Sequence, residues 1–175
     1  MIRFAGRFFD VGAERVYADD RVTREDLVAL AGMPRLRALN LNTAAIGDDD
    51  LEAVGRLVGL QDLDVSTTDI TDAGVRHLSG LTDMRHLRIK ETRVTDAGLR
   101  LLAPMGALET VNLRRLDISD EGLRGLAERH RCLDTIVISD EVDECRFTVA
   151  GLAEVQRLLP ACEIVVVGRG TFPHI

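Results

Sequence analysis

The stretch 70–75 reads Ile-Thr-Asp-Ala-Gly-Val, and it returns as Val-Thr-Asp-Ala-Gly-Leu at 94–99 and as Ile-Ser-Asp-Glu-Gly-Leu at 118–123. Each copy begins 24 residues after the previous one. Similarity within a chain at a fixed period of roughly 20–50 residues is typical of proteins built from stacked structural repeats. The hexapeptide therefore predicts a repeat architecture.

Apolar residues follow the same period on both sides of the hexapeptide. Six apolar columns share one register; two of them are Leu39, Leu63, Leu87, Val111 and Tyr17, Leu41, Val65, Ile89, Leu113. Each period predicts a short strand, as in 60–65, and then a helix with apolar residues three apart, as in Val75, Leu78 and Leu81. We expect a charge at Leu63, Leu87 or Leu102 to unfold several repeats together.

The hexapeptide also predicts where each helix begins. Thr71, Thr95 and Ser119 are of the residue types that cap helix N-termini. The aspartate that follows each of them lies in the first turn, where the helix dipole favours negative charge. The glycine two residues later costs about 1 kcal/mol relative to alanine inside a helix, so its recurrence indicates close packing between neighbouring repeats.

This pattern resembles the leucine-rich repeat family, in particular the bacterial V-T-D-A-G-L type, which is similar to the cysteine-containing repeats attached to F-box domains. The resemblance covers residues 17–167. It implies an α/β fold: a right-handed leucine-rich-repeat solenoid of about six 24-residue repeats, with parallel strands on the concave face and helices on the convex face. No room is left for an F-box, so a ubiquitin-ligase role is not implied.

The predicted organisation is a single domain, 1–175, with an N-terminal cap at 1–12, repeats at 13–161, and a last strand and tail at 162–175. Two breaks in the period are expected, at 129–131 and in the acidic segment 140–146. Asp140, Glu141, Asp143 and Glu144 suggest a metal site, but they lack the ligand spacing of a calcium loop. We therefore interpret 140–146 as a solvated loop and expect no metal.

Composition limits the function. The net charge is −7, which disfavours nucleic-acid binding. No stretch is long and apolar enough to span a membrane. The three cysteines show no C-x-x-C spacing, and no signal peptide is evident, so a cytoplasmic protein without cofactors is expected.

Solenoids of this kind bind through the outward residues of their strands. Strand alternation predicts a charged strip on that face. Its predicted residues are Asp62, Asp64, His86, Arg88, Lys90, Asn112 and Arg114. Two compatible interpretations are a salt-bridge ladder that stabilises the sheet and a binding surface for a protein partner.

The C-terminal repeat predicts a second, apolar surface. Val137, Ile164 and Val166 are expected to face outward, and the tail with Phe172 and Ile175 is expected to fold over them. If the tail does not cover these residues, they form a contact with a partner or with a second copy of the chain. The predicted state is therefore a monomer or a weak dimer through the edge of the last strand. The leading function is a protein-interaction module or adaptor, and the alternative is a structural or assembly subunit that acts through this end.

An enzymatic function is the least favoured alternative. Asp62, His86 and Thr110 follow one another in a single outward column, in the order acid, base and hydroxyl. A flat strand face offers no pocket and no oxyanion donors, so we expect no hydrolase and no enzyme of another kind. His77 and His130 are expected to be surface residues on the helical side.

Overall fold

In this computed structural model, residues 1–18, 21–139 and 146–173 are described. The strands are β1 Ile2–Phe4, β2 Arg7–Phe9, β3 Arg15–Tyr17, β4 Ala38–Asn40, β5 Asp62–Asp64, β6 His86–Arg88, β7 Thr110–Asn112, β8 Thr135–Ser139, β9 Glu163–Val167 and β10 Gly170–Phe172. The α-helices are α1 Arg24–Ala29, α2 Leu51–Val54, α3 Asp72–His77, α4 Asp96–Leu101, α5 Asp120–Arg129 and α6 Val149–Leu158. Short 3-10 turns cover Leu30–Gly32, Asp48–Asp50 and Leu78–Gly80. The acidic residues considered as metal ligands, and Ile175, lie outside the described residues.

Strands β3 to β9 form one parallel sheet in chain order, and β10 joins its end antiparallel to β9. A helix or helical turn lies between consecutive parallel strands and supplies the crossover that such strands require. We call each strand with the segment that leads to the next strand a coil. The parallel strands begin at residues 15, 38, 62, 86, 110, 135 and 163, so the 24-residue period holds in the middle of the sheet. The predicted α/β leucine-rich-repeat solenoid is confirmed.

The core is almost entirely aliphatic and runs through the whole stack. The central column is buried in register, with Leu39 paired to Leu63, Leu63 to Leu87 and Leu87 to Val111. All four side chains are at most 1% exposed. Burying a side chain of this size stabilises a fold by about 1.5–3 kcal/mol, so the stacked columns hold neighbouring coils together.

The predicted helix caps are confirmed. The Thr71 and Thr95 side chains accept hydrogen bonds from Ala73 N and Ala97 N. Ser119 caps α5 by accepting from Gly122 N.

The aspartates of the hexapeptide, together with Asp48 at the equivalent position of an earlier coil, have a further role that the sequence did not indicate. The backbone N–H and the side-chain hydroxyl of each helix cap donate to the aspartate carboxylate of the preceding coil. The pairs are Thr71 to Asp48, Thr95 to Asp72, Ser119 to Asp96 and Thr148 to Asp120, with N to O distances of 2.7–2.8 Å. We call this series the carboxylate ladder. It joins five coils by charge-assisted hydrogen bonds, which are stronger than neutral ones.

The helix glycines are required by this ladder. A Cβ placed at Gly74 would lie 2.5 Å from Asp48 Oδ1 and 3.2 Å from its Cα. A Cβ placed at Gly98, Gly122 or Gly151 would clash with the aspartate of the preceding coil in the same way. The close packing between repeats that the sequence predicted is therefore confirmed.

The first aspartate of the ladder makes stability depend on pH. Burial raises the pKa of the Asp48 carboxyl, but hydrogen bonds from Thr71 and Gly74 and the charge of Arg93 outweigh burial, and the pKa lies below its ordinary value. Such a group stabilises the fold above its unfolded pKa of about 3.9, and this contribution is lost as the pH falls through the folded pKa.

We therefore expect the unfolding free energy of the wild type to fall more steeply below about pH 4 than that of Asp48→Asn. Urea denaturation followed by circular dichroism, at neutral pH and at several acid pH values, measures this difference. The gap between the two proteins should shrink on acidification. A gap that stayed constant would show that Asp48 titrates alike in the folded and unfolded states.

The N-terminal residues form the antiparallel hairpin β1–β2, which packs against α1. Phe4 is fully buried and meets Phe9 edge to face, with ring centroids 6.2 Å apart. Phe8 is 68% exposed. Two of the three phenylalanines of this segment therefore cover the first coil.

The expected outward position of Ile164 and Val166 is wrong. Both lie in the core, at 1% and 2% exposure, and Ile164 pairs with Ile136. In earlier coils two residues separate the first two buried positions, as in Leu60 and Leu63, whereas only one residue separates Cys162 from Ile164. This shift by one residue reverses every side chain of the strand.

The tail folds back, but along the edge of the sheet. Strand β10 pairs with β9 so that Phe172 lies opposite Ile164 and Thr171 opposite Val165. Phe172 is half-buried against the core. The open edge of β9 is therefore paired. Val137, Val165 and Val167 are half-buried apolar residues that face outward on the last two parallel strands.

The expectation that His130 is a surface residue is also wrong, whereas His77 is exposed as expected. His130 is fully buried, with Nδ1 2.9 Å from Leu126 O and Nε2 2.9 Å from Leu102 O. The ring joins the ends of α4 and α5. His130 lies at the inserted residue that breaks the 24-residue period at 129–131.

The two cysteines that the structure describes differ in reactivity. Burial, reinforced by the negative charge of Asp134, raises the pKa of the Cys162 thiol to about 11, whereas Cys132 is exposed. The thiolate is the reacting species, so iodoacetamide at about pH 8 is expected to modify Cys132 and to spare Cys162 in the folded protein. Peptide mapping by mass spectrometry reads both sites, and unfolding in urea should make both react. Equal rates in the folded protein would contradict the burial of Cys162.

Candidate functional site

The charged strip lies on one face of the sheet, as strand alternation predicts. Pairing between strands places Asp62 beside His86, and it places Asp64, Arg88 and Asn112 in one row. Neighbouring strands are about 4.8 Å apart, so these side chains can act together. The residues between them on each strand, such as Leu63 and Leu87, point into the core.

Lys90 and Arg114 complete the strip just beyond the ends of β6 and β7. Each of them precedes a residue with left-handed backbone, Glu91 at φ 56° and Arg115 at φ 55°. This conformation is uncommon outside glycine and turns the chain sharply. The two cations therefore lie at the margin of the strand face.

The structure extends the strip toward the N-terminus. A groove of about 370 Å³ crosses β3 to β6 and is lined by Arg15, Val16, Tyr17, Ala38, Leu39, Asn40, Asp62, Asp64 and Arg88. Arg15 and Tyr17 were not predicted to belong to the strip, because the 24-residue register puts Tyr17 in a column of inward-facing residues. That placement is wrong: Tyr17 is 57% exposed and pairs with Asn40, while Val16 is the buried residue. The alternation Arg-Val-Tyr, matched to Ala-Leu-Asn at 38–40, is the signal that could have found it.

The middle of the strip contains one internal ion pair. Arg88 Nη1 lies 2.6 Å from Asp62 Oδ1. This contact agrees with the interpretation as a stabilising cross-strand pair, worth about 0.2–1 kcal/mol for partly exposed groups. The same ion pair occupies the Asp62 carboxylate, which a catalytic triad would need as the partner of His86. Among the described residues, no polar side-chain contact joins His86 to Asp62 or to Thr110.

The turn that follows β5 does not require the negative charge of Asp64. Its Oδ1 accepts a hydrogen bond from Ser66 N, and the residue is only 8% exposed. The same turn is closed in two other coils by neutral amides, Asn40 to Asn42 N and Asn112 to Arg114 N. An asparagine would therefore serve the turn equally well. In the described part of the chain, Asp64 forms no ion pair.

The two cations at the margin are also unpaired. No carboxylate lies within 4.0 Å of the Lys90 or Arg114 side chain among the residues that the structure describes. The nearby arginines 85, 88 and 115, by contrast, pair with Glu109, Asp62 and Glu91.

Within residues 1–18, 21–139 and 146–173, three buried polar atoms without a hydrogen-bond partner belong to the same row. They are Asn42 Oδ1, Ser66 Oγ and Arg114 Nε. The row consists of Asn42, Ser66, Lys90 and Arg114, one residue from each of four successive coils. Buried polar atoms are normally hydrogen-bonded, so this row has unused bonding capacity.

Residues 1–18, 21–139 and 146–173 contain no group of three or more histidine, cysteine, aspartate or glutamate side chains arranged to hold a metal ion. In the same residues, no helix has the length and apolar character needed to cross a bilayer.

The comparisons with known proteins agree with the repeat architecture. The Leucine Rich repeat family matches residues 60–79. Among solved structures the chain is similar to internalin C2 from Listeria monocytogenes, at 26% sequence identity and a TM-score of 0.59, with 80% of this chain and 55% of that chain covered. It is also similar in fold to an internalin (inlF) from the same organism, at 20% identity and a TM-score of 0.62, with 80% and 37% covered. The chain thus spans about half the length of internalin C2. No curated protein gave a significant match.

Proposed function

Because the chain is a leucine-rich repeat protein with the fold of the internalin repeats, we propose that it binds another protein through its concave strand face. Leucine-rich repeat domains typically act as protein-interaction modules, and the sheet offers an extended surface of the kind that solenoids use. The observation that carries the proposal is the charge left unused on this face. Asp64, Lys90 and Arg114 have no charged partner among the described residues, although ion pairs are common elsewhere on the surface.

Unpaired charges on a structured face favour a binding role over a purely structural one. A stabilising ladder would pair each charge with an opposite neighbour, as Asp62 and Arg88 do. Charges that remain free are available for a partner, where they contribute to specificity and association rate. The groove beside Tyr17 adds an exposed aromatic side chain, a residue type enriched in interfaces.

Binding is also favoured over catalysis. The proposed surface is an open face, and its one histidine, His86, lacks the hydrogen bond to a carboxylate that would orient it as a base. We propose a non-catalytic adaptor, active in the cytoplasm, that uses no cofactor.

The proposal is tested by blocking the face without changing its charge. Thr110 points outward from the middle of the sheet, between His86 and Thr135. We expect Thr110→Trp to reduce recovery of a protein partner from lysate of the source organism by at least about tenfold, which corresponds to 1.4 kcal/mol. The matched control, which also leaves the charge unchanged, is Ala73→Trp on the exposed side of α3.

Both variants must show the circular dichroism spectrum and melting behaviour of the wild type. Loss of the same partner with Thr110→Trp alone supports the concave face. Equal recovery with wild type and Thr110→Trp, or loss with Ala73→Trp instead, contradicts the proposal.

A further inference from the structure

We propose that the partner segment on the concave face is acidic, and that it places a carboxylate between Lys90 and Arg114. This inference rests on the proposed function and adds the chemistry of the partner. It is carried by two neighbouring cations that have no counter-charge in the part of the chain that the structure describes, and by the buried polar atoms beside them.

The fold holds Lys90 and Arg114 next to each other. Strands β6 and β7 pair residue for residue, with His86 opposite Thr110 and Arg88 opposite Asn112. The pairing continues past the strand ends, because Ile89 N donates to Asn112 O and Glu91 N donates to Arg114 O. The two cationic residues therefore leave adjacent backbones, about 4.8 Å apart.

Both cations are half-buried instead of extended into solvent. Two like charges in adjacent positions repel each other, and partial burial strengthens the repulsion because water screens it less. Neighbouring arginines avoid this situation through carboxylates of their own, such as Glu91 for Arg115. An anion between Lys90 and Arg114 would remove the repulsion.

Among the described residues, two buried polar atoms in or next to this pair of cations lack a hydrogen-bond partner. Arg114 Nε is buried without an acceptor, and so is the hydroxyl of Ser66 in the coil that precedes Lys90. Both atoms are shielded from solvent in the unbound chain, so the two side chains must rotate toward the surface on binding. Arg114 Nε would then find an acceptor in a carboxylate oxygen, and the Ser66 hydroxyl can donate to one. Arginine forms particularly favourable paired hydrogen bonds with carboxylates.

The surroundings favour a short acidic peptide segment over a nucleic acid. The chain has a net charge of −7, and Asp64 lies in the coil next to Lys90. A nucleic acid that crossed the strip would bring one phosphate after another against these carboxylates. A protein segment can carry an acidic side chain at Lys90 and Arg114 and a neutral or basic one at Asp64.

Fluorescence anisotropy tests the inference with defined probes. The probes are a fluorescein-labelled peptide Gly-Ser-Gly-Glu-Glu-Gly-Ser-Gly, its Gln-Gln and Lys-Lys counterparts, and a labelled single-stranded oligothymidylate of similar length. The full chain is titrated at low ionic strength to about 1 mM. The variants are Lys90→Ala/Arg114→Ala, Lys90→Glu/Arg114→Glu, and the control Arg76→Ala/Arg129→Ala, which removes two exposed cations from the helical side.

We expect the Glu-Glu peptide to bind the wild type and the control alike, and to lose at least about tenfold in affinity with Lys90→Ala/Arg114→Ala. Lys90→Glu/Arg114→Glu should reverse the preference toward the Lys-Lys peptide. No binding of the Glu-Glu peptide, equal binding of the Gln-Gln peptide, an unchanged affinity in the double alanine variant, or tighter binding of the oligothymidylate would each overturn the inference. If the Glu-Glu peptide fails while Thr110→Trp still abolishes capture of a partner, the inference alone falls and the proposed function stands.

Discussion

Leu87→Asp is expected to abolish cooperative folding of the central coils. Leu87 is fully buried, and it pairs with Leu63 on one side and Val111 on the other. The substitution removes about 1.5–3 kcal/mol of apolar burial. It also places a carboxylate where no cation can pair with it, at a cost of several kcal/mol. The total is comparable to the whole stability of an ordinary domain, about 5–15 kcal/mol.

In a solenoid such a loss spreads, because each coil is stabilised by its neighbours. Thermal denaturation followed by circular dichroism should show a greatly reduced or absent transition for Leu87→Asp. Thr82→Asp, an exposed position in the connection that precedes β6, is the control and should melt close to the wild type. A Leu87→Asp protein with the melting curve of the wild type would contradict the register of the sheet.

Two glycines in one helix are expected to respond to alanine with opposite signs. A Cβ at Gly122 would lie 2.7 Å from Asp96 Cγ, which is part of the carboxylate ladder. A Cβ at Gly125, one turn later in α5, would meet no atom within 4 Å. Alanine is the better helix former by about 1 kcal/mol, so Gly125→Ala should be neutral or stabilising by up to that amount.

Gly122→Ala must push the Asp96 carboxylate away from Ser119, where it accepts hydrogen bonds from the backbone N–H and the hydroxyl. Each of these two hydrogen bonds to a charged group is worth about 1.5–3 kcal/mol, so we expect a net loss of about 2–5 kcal/mol after subtracting the gain of about 1 kcal/mol in helix propensity. Urea denaturation of the two variants measures the difference directly. Destabilisation of similar size in both would show that α5 resists any alanine and that the ladder contact is not the cause.

Much of the fold could be predicted from the sequence because the repeat supplies several independent signals of one period. The buried columns through Leu63 and Leu87 and the caps at Thr71 and Thr95 were located from spacing and residue type alone. These features are local, or they depend on a period that stays constant in the middle of the chain.

Prediction failed where the period changes. The sequence predicts Tyr17 in the core and Ile164 on the surface, and both predictions are wrong. The first coil is one residue shorter than 24, and the spacing from Cys162 to Ile164 is one residue shorter than that from Leu60 to Leu63. A shift by one residue exchanges the two faces of a strand, so a small error in counting reverses the conclusion. The burial of His130 was missed for a related reason, since it lies at an inserted residue.

For the candidate site, the sequence predicted which residues share the strand face but not which charges remain unpaired. Asp62 and Arg88 pair diagonally across two strands, whereas Lys90 and Arg114 find no carboxylate among the described residues. Long charged side chains can reach several neighbours, and the outcome depends on the local backbone, such as the left-handed residues Glu91 and Arg115. The carboxylate ladder was missed because each of its contacts joins adjacent coils, more than 20 residues apart in sequence.

Site-specific photo-crosslinking shows which face of the solenoid contacts the partner, and we propose that it is the strand face. Benzoylphenylalanine is placed at Asn112 on the strand face or at Arg76 on the helical face, and each protein is irradiated in lysate of the source organism. We expect a discrete crosslinked product from Asn112 and none from Arg76. A product from Arg76 with none from Asn112 would rule out binding through the strand face and would place the interaction on the helices.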